Sequence, residues 1–331
     1  RAQPPAELPP LRGTALDVVR LPLGLPAEAL LTAWGEPLRR DSGPDGLEWW
    51  AYRPEPDRYL RAGLGDGRLR ALYVYGRGWR ADAVRALSAP GEARATLDIG
   101  DRPALLWRGG HYVFDCAGDD AGDGSRTVGG ASSDDGGVLP PLVAGDRVVL
   151  LYVDRFADQV VAAYVAEPGT FLRADPAARL AGCTIWYRSS HPLPLPAALE
   201  PELEAAVAAS EARVLLDLAN VARRLHERPL LTWSDAAQAV AQAHNDDMRA
   251  HDFFSHDSPT RGSLSARIRA AGLDRCAAGE NIAFGFADAV GAHHAWMNSP
   301  GHRQNLLDGD FSEYGAAAGG GYFTETYLDC R

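Results

Sequence analysis

The sequence predicts an α+β protein of two parts: a helix followed by an antiparallel meander, given twice, and then a helix-rich half. Three observations carry this. Strand-like runs with hairpin signals fill the first part, helical apolar spacing begins near Glu211, and closely spaced prolines separate the two patterns.

The first copy of the repeat opens with Leu23-Gly24-Leu25-Pro26, a short helix through Leu30 and Trp34, and a turn at Gly35-Glu36-Pro37. Strands are expected at Leu47–Tyr52, Tyr59–Leu64 and Leu69–Tyr75, the last two joined by the hairpin signal Gly65-Asp66-Gly67. A second copy starts after Ile99-Gly100, with strands at His111–Phe114, Val148–Val153 and Val160–Val165. Between them, Cys116 to Pro141 is rich in Gly, Asp and Ser and reads as a long loop. Asp119, Asp123 and Gly124 faintly resemble a calcium loop, but Ala121 and Gly130 stand where two ligands are required.

Pro192, Pro194, Pro196 and Pro201 remove backbone donors and favour extended chain, so residues 188–209 read as a linker between domains 1–187 and 210–331. Beyond it, Val214, Leu215, Leu218, Val221, Ala222 and Leu225 form one apolar stripe on a helix over 211–227. Pro229 to Trp233 breaks it, and Ser234 caps a second helix to about Ala250. A third runs from Leu264 to Ala271 and stops at Gly272.

The net charge of -11 argues against nonspecific binding to nucleic acid or an anionic membrane. All 33 basic residues are arginine, which a GC-rich coding bias explains more simply than selection for bidentate anion contacts. No apolar run is long enough for a transmembrane helix. The opening Arg1-Ala2-Gln3-Pro4-Pro5 carries no leader pattern, which fits a cytoplasmic protein or an exported one already processed. Cys116, Cys183, Cys276 and Cys330 form no C-x-x-C pair; they suggest two disulfides, with free buried thiols as the alternative.

Three blocks in the second half are specific. Asp252-Phe253-Phe254-Ser255-His256-x-Ser258-Pro259 is followed by Gly279-Glu280-Asn281-Ile282-Ala283, and then by Trp296-Met297-Asn298-Ser299-Pro300-Gly301-His302-Arg303-x-Asn305-Leu306-Leu307. In this order and spacing they resemble the bacterial branch of the CAP superfamily of cysteine-rich secretory, antigen five and pathogenesis-related proteins. The first half resembles the CAP-associated N-terminal domain through Leu23-Gly24, Trp34-Gly35-Glu36-Pro37, Trp49-x-x-Tyr52, Tyr59-Leu60 and Gly63-x-x-Asp66-Gly67.

The resemblance implies an α-β-α sandwich for residues 210–331, with strands at Gly279–Phe284 and in a hairpin from Tyr314 to Leu328. It implies an exported or cell-envelope protein. Intradomain disulfides Cys116–Cys183 and Cys276–Cys330 are expected, because each pair stays within one domain and ties no separately folding units across the linker. The resemblance also implies a shared cavity of His256, Glu280 and His302, with Ser299 and Asn281 beside them, Asn281 reading as a backbone strut more than a ligand. The two imidazoles suit a divalent metal such as zinc. Family members often carry a second glutamate where this chain has Ser299, which weakens acid-base chemistry needing a carboxylate pair.

Three readings follow. A binding protein would hold a protein, peptide or wall-polymer ligand, with metal at His256 and His302. A peptidase-like hydrolase would use Glu280 as general base on a metal-activated water. An interaction module would act through its N-terminal domain, the cavity being vestigial. Among other histidines, His244 reads as a core residue and His251 as a cation at a helix end. At most one of the adjacent pair His293 and His294 can face the cavity. His111, His191 and His226 suggest no partners.

Overall fold

The computed structural model describes residues 8–99, 103–108, 110–115, 137–174, 184–188 and 198–330. Cys116, Cys183, His191 and the glycine-rich stretch 116–136 lie outside them, and with them the expected Cys116–Cys183 bridge. The chain forms two compact units divided after residue 197.

In the first unit the elements run β1 (Leu16–Asp17), α1 (Ala27–Trp34), β2 (Arg39–Ser42), β3 (Glu48–Glu55), β4 (Arg58–Gly65), β5 (Arg68–Gly76), β6 (Trp79–Ala81), β7 (Val84–Arg85) and α2 (Pro90–Thr96). There follow β8 (Ala104–Trp107), β9 (Gly110–Asp115), β10 (Leu142–Ala144), β11 (Arg147–Asp154), β12 (Gln159–Ala166), α3 (Pro168–Arg173) and β13 (Thr184–Arg188). The two copies of the repeat join through β12 and β5 into one seven-stranded sheet of order β10-β11-β12-β5-β4-β3-β2. The Gly65-Asp66-Gly67 signal makes the expected tight turn, with φ of 51° at Asp66 and 67° at Gly67. The His111–Phe114 strand differs from expectation. It leaves the meander and forms β9 of a separate three-stranded sheet, between β13 and β8. Its sequence signals extended chain, but local pattern does not say which neighbour it pairs with.

The second unit holds α4 (Pro201–Leu225), β14 (Thr232–Trp233), α5 (Asp235–His251), α6 (Leu264–Ala270), β15 (Ala277–Phe284), α7 (Ala289–Met297), α8 (Pro300–Leu307), β16 (Glu313–Gly319) and β17 (Tyr322–Asp329). The linker reading over 188–209 is corrected at its end: Pro201 is the first residue of α4, ten residues before the predicted start. Proline at a helix's first position loses no hydrogen bond and brings a suitable φ, and Glu202 and Glu204 favour the positive end of the dipole. Ser234 caps α5, accepting from the Ala237 N–H at 3.4 Å.

Four strands in the order β14-β16-β17-β15 make the central layer. One face packs on α5 and α6 through Ala237, Val240, Ile268, Ala278 and Leu328. On the other, α4, α7 and α8 pack on one another. Gly315 marks how closely α5 approaches: a Cβ there would overlap the backbone of Gln238. The expected Cys276–Cys330 disulfide is formed, joining the start of β15 to the residue after β17, with Cα atoms 4.2 Å apart.

Candidate functional site

β15 is the edge strand that carries the site, and strand alternation decides which residues can meet on it. Glu280, Ile282 and Phe284 share the face toward α5 and α6; Asn281 points to the opposite face. Glu280 is buried, and both its oxygens are engaged. Oε2 accepts from Arg267 Nη2 at 2.5 Å and Oε1 faces His256 Nδ1 at 2.9 Å. A buried carboxylate requires such partners.

His256 sits in the loop between α5 and α6, with its side chain 53% exposed. Nδ1 faces a carboxylate and donates to it, which in a neutral ring makes Nε2, on the far side, the acceptor atom. Two clamps hold the loop. Arg267, from α6, donates to the carbonyls of His256 at 2.8 Å and Gly262 at 3.0 Å while binding Glu280. Asp247, from α5, accepts the hydroxyls of Ser258 and of Thr260, the latter at 2.6 Å. Burial raises the Asp247 pKa, but these hydroxyls and nearby His251 outweigh it and hold the carboxyl below its ordinary value.

His244 is fully buried, as expected, yet it is tied to the site. Its Nε2 lies 3.0 Å from the Ser255 carbonyl and 3.8 Å from Glu280 Oε1. Burial lowers its pKa against the pull of Glu280, so the ring is neutral.

His302 stands at the start of α8, its Nδ1 2.9 Å from Ser299 Oγ. Ser299 thus holds this ring. Burial lowers the His302 pKa, and the charge of His256 lowers it further.

Asn281 lies on the face of β15 opposite Glu280. It is fully buried there, donating to the His302 carbonyl at 3.1 Å and to Glu325 Oε2 at 3.1 Å. It supports the backbone of His302 and does not share the cavity of Glu280. Around it lies a cluster that sequence reading missed. Glu325 is fully buried and accepts from Asn281, from Tyr314 Oη at 2.7 Å and from Tyr327 Oη. Burial pushes its pKa up to about 7 although these three donors pull it down. The available signal was a glutamate in the middle of the strand Tyr322–Asp329, whose other residues up to Leu328 are aromatic, threonine or leucine.

His293 and His294 are buried in α7 with ring centroids 5.3 Å apart. His251 pairs with Asp247 at 2.9 Å, and His226 faces Arg303 at 3.2 Å.

A sandwich with a paired histidine and glutamate on its edge strand defines the class, and sequence comparison agrees. Residues 216–327 match the cysteine-rich secretory protein family, CAP, and residues 23–123 match the CAP-associated N-terminal family. The chain thus carries a CAP domain preceded by a CAP-associated N-terminal domain.

The uncharacterised membrane protein YlbC of Bacillus subtilis is 27% identical over 306 residues, spanning 92% of this chain and 82% of its own. YkwD of the same organism is 33% identical over 124 residues, 37% of this chain and 48% of its own. An extracellular SCP-domain protein from Bacillus anthracis matches with a TM-score of 0.80 and 26% identity over 99% of this chain and 97% of its own. A cysteine-rich secretory protein from Staphylococcus aureus shares the fold, with a TM-score of 0.72 and 16% identity over 97% of each chain. An extracellular or cell-envelope location follows from these relatives. Among the described residues, no helix is long and apolar enough to cross a membrane.

Proposed function

We propose that the CAP domain is a binding module whose contact group is His256 Nε2, with His302 as the second imidazole. One observation carries this reading: Glu280 is already spent on Arg267 and His256. A general base needs a lone pair aimed at a water or substrate proton. A carboxylate held by a guanidinium and an imidazole instead orients the imidazole. In the hydrolase reading Glu280 would be the base, but its side chain is 2% exposed and turned to a guanidinium and an imidazole, not to a water or substrate.

A divalent metal such as zinc would be held by His256 and His302. The donor chemistry suits zinc, but two imidazoles fall short of the three protein ligands of a catalytic zinc site. Among the described residues no group of three His, Cys, Asp or Glu is arranged for a metal.

Zinc titration of the full chain by calorimetry, with peptide hydrolysis followed in parallel, tests the reading. The expected outcome is weak uptake or none, any uptake being lost in the double variant His256→Ala, His302→Ala, and no turnover. Chelator-sensitive hydrolysis abolished by Glu280→Gln would replace binding with catalysis.

A further inference from the structure

Phe254 and Phe284 are 48% and 41% exposed, unusual for phenyl rings that lie side by side. Their centroids are 6.1 Å apart, and Tyr322 lies 4.3 Å from Phe284 and 6.5 Å from Phe254. Isolated exposed apolar residues are ordinary, but a contiguous aromatic patch marks a contact surface. This patch is rooted in the core: Tyr322 packs with Met248, Ile282 and Phe253.

Its position joins it to the candidate site. Phe254 precedes His256 by two residues in one exposed loop, so their Cα atoms are at most about 7 Å apart. Phe284 shares the Glu280 face of β15, four residues on, or about 13 Å along the strand. Aromatic surface thus borders the one exposed imidazole of the site. Ligand sites combine apolar and aromatic walls with a few polar groups in this way.

The surroundings choose the ligand class. A peptide adding to the sheet would need the free edge of β15, but that edge is closed. Trp296 Nε1 donates to the Ile282 carbonyl at 3.0 Å, and Asn305 Nδ2 to the Glu280 carbonyl at 3.0 Å. A phosphate-rich polymer or anionic membrane would meet Asp252 and Asp257, both exposed in the Phe254 loop, on a chain of net charge -11. What fits is an uncharged ring with an apolar C–H face and hydroxyls at its rim. Phenyl faces pack against the first, while His256 Nε2 and the two carboxylates accept from the second.

We propose that Phe254 and Phe284 form a stacking platform for uncharged sugar units of a polysaccharide, whose hydroxyls reach His256. This rests on the reading of His256 as the contact group and deepens it by naming the ligand class.

The test titrates the full chain with tri-N-acetylchitotriose and with cellotetraose, followed by calorimetry and ligand-observed NMR. At least one should bind. Because both phenyl rings are at the surface, Phe254→Ala with Phe284→Ala should leave the melting temperature within a few degrees while lowering affinity roughly tenfold or more. His256→Ala should weaken binding several-fold. A sugar lost with the phenyl pair but unaffected by His256→Ala upholds the platform and overturns the role of His256. Binding of neither sugar, or equal affinity in the phenyl variant, overturns the platform. So does phenyl-dependent binding of penta-alanine or phosphatidylcholine vesicles without binding of sugar.

Discussion

The main sheets of the two units are held by different means. One face of the seven-stranded sheet is covered by apolar surface, with Trp50, Leu60, Leu72, Val74, Val149, Leu151 and Val165 buried in one cluster, although its strands also bury Asp41, Arg58, Arg61 and Asp154. The four-stranded sheet of the CAP domain instead buries Glu280, Asn281, Thr324, Glu325 and Thr326 in two adjacent strands. Area is forgiving, because no single contact dominates it. A buried polar group is not, because losing one partner strands the other without water. The apolar face of the first sheet is therefore scaffold-like, while the second sheet fixes particular side chains, among them the Glu280 that pairs with His256.

Arg223 is where this contrast should break most severely. It is fully buried in α4 and donates to four carbonyls: Pro229 at 2.5 Å, Leu306 at 3.0 Å, Asp308 at 2.8 Å and Phe311 at 3.1 Å. Arg223→Met leaves them unpaired, and we expect a loss on the order of 5 kcal/mol in the CAP domain. Hydrogen exchange should rise in peptides from 201–330 and stay unchanged in those from 8–99. Matching loss in both units would show that they are not separately stabilised.

The disulfide comes next. Cys276 and Cys330 are separated by 54 residues, so releasing the bridge should cost about 4 kcal/mol in the chain-entropy account. The variant Cys276→Ala, Cys330→Ala measures this by denaturant unfolding. A change below about 1 kcal/mol would mean that the register of β15 on β17 already restrains the unfolded chain.

The smallest and most selective effect concerns Glu325. Its pKa is raised from 4.5 to about 7 by burial, so the folded state holds the proton more tightly than the unfolded chain. The stabilisation is complete below about pH 4.5, declines as pH rises through 7, and amounts to about 3 kcal/mol. Glu325→Gln should remove that slope, read as the unfolding midpoint against pH. An unchanged slope would place the titration in another group.

Much of this protein was legible from sequence by itself. Helical spacing, hairpin turns and caps are local matters, so the six strands expected in the first unit and α5 and α6 fall within a few residues of expectation, while short strands such as β1, β6 and β7 carried no such signal. The three motif blocks named His256, Glu280 and His302. Tertiary structure decided what those residues do. Pairing sent His111–Phe114 to a separate sheet, and strand alternation turned Asn281 away from Glu280. Arg267, Asp247 and His244 lie 13, 33 and 36 residues before Glu280 in sequence, with no motif to mark them. Only the packing of α5 and α6 against β15 brings them around one carboxylate and one loop, because hydrogen bonds between distant segments depend on distances that sequence order does not contain.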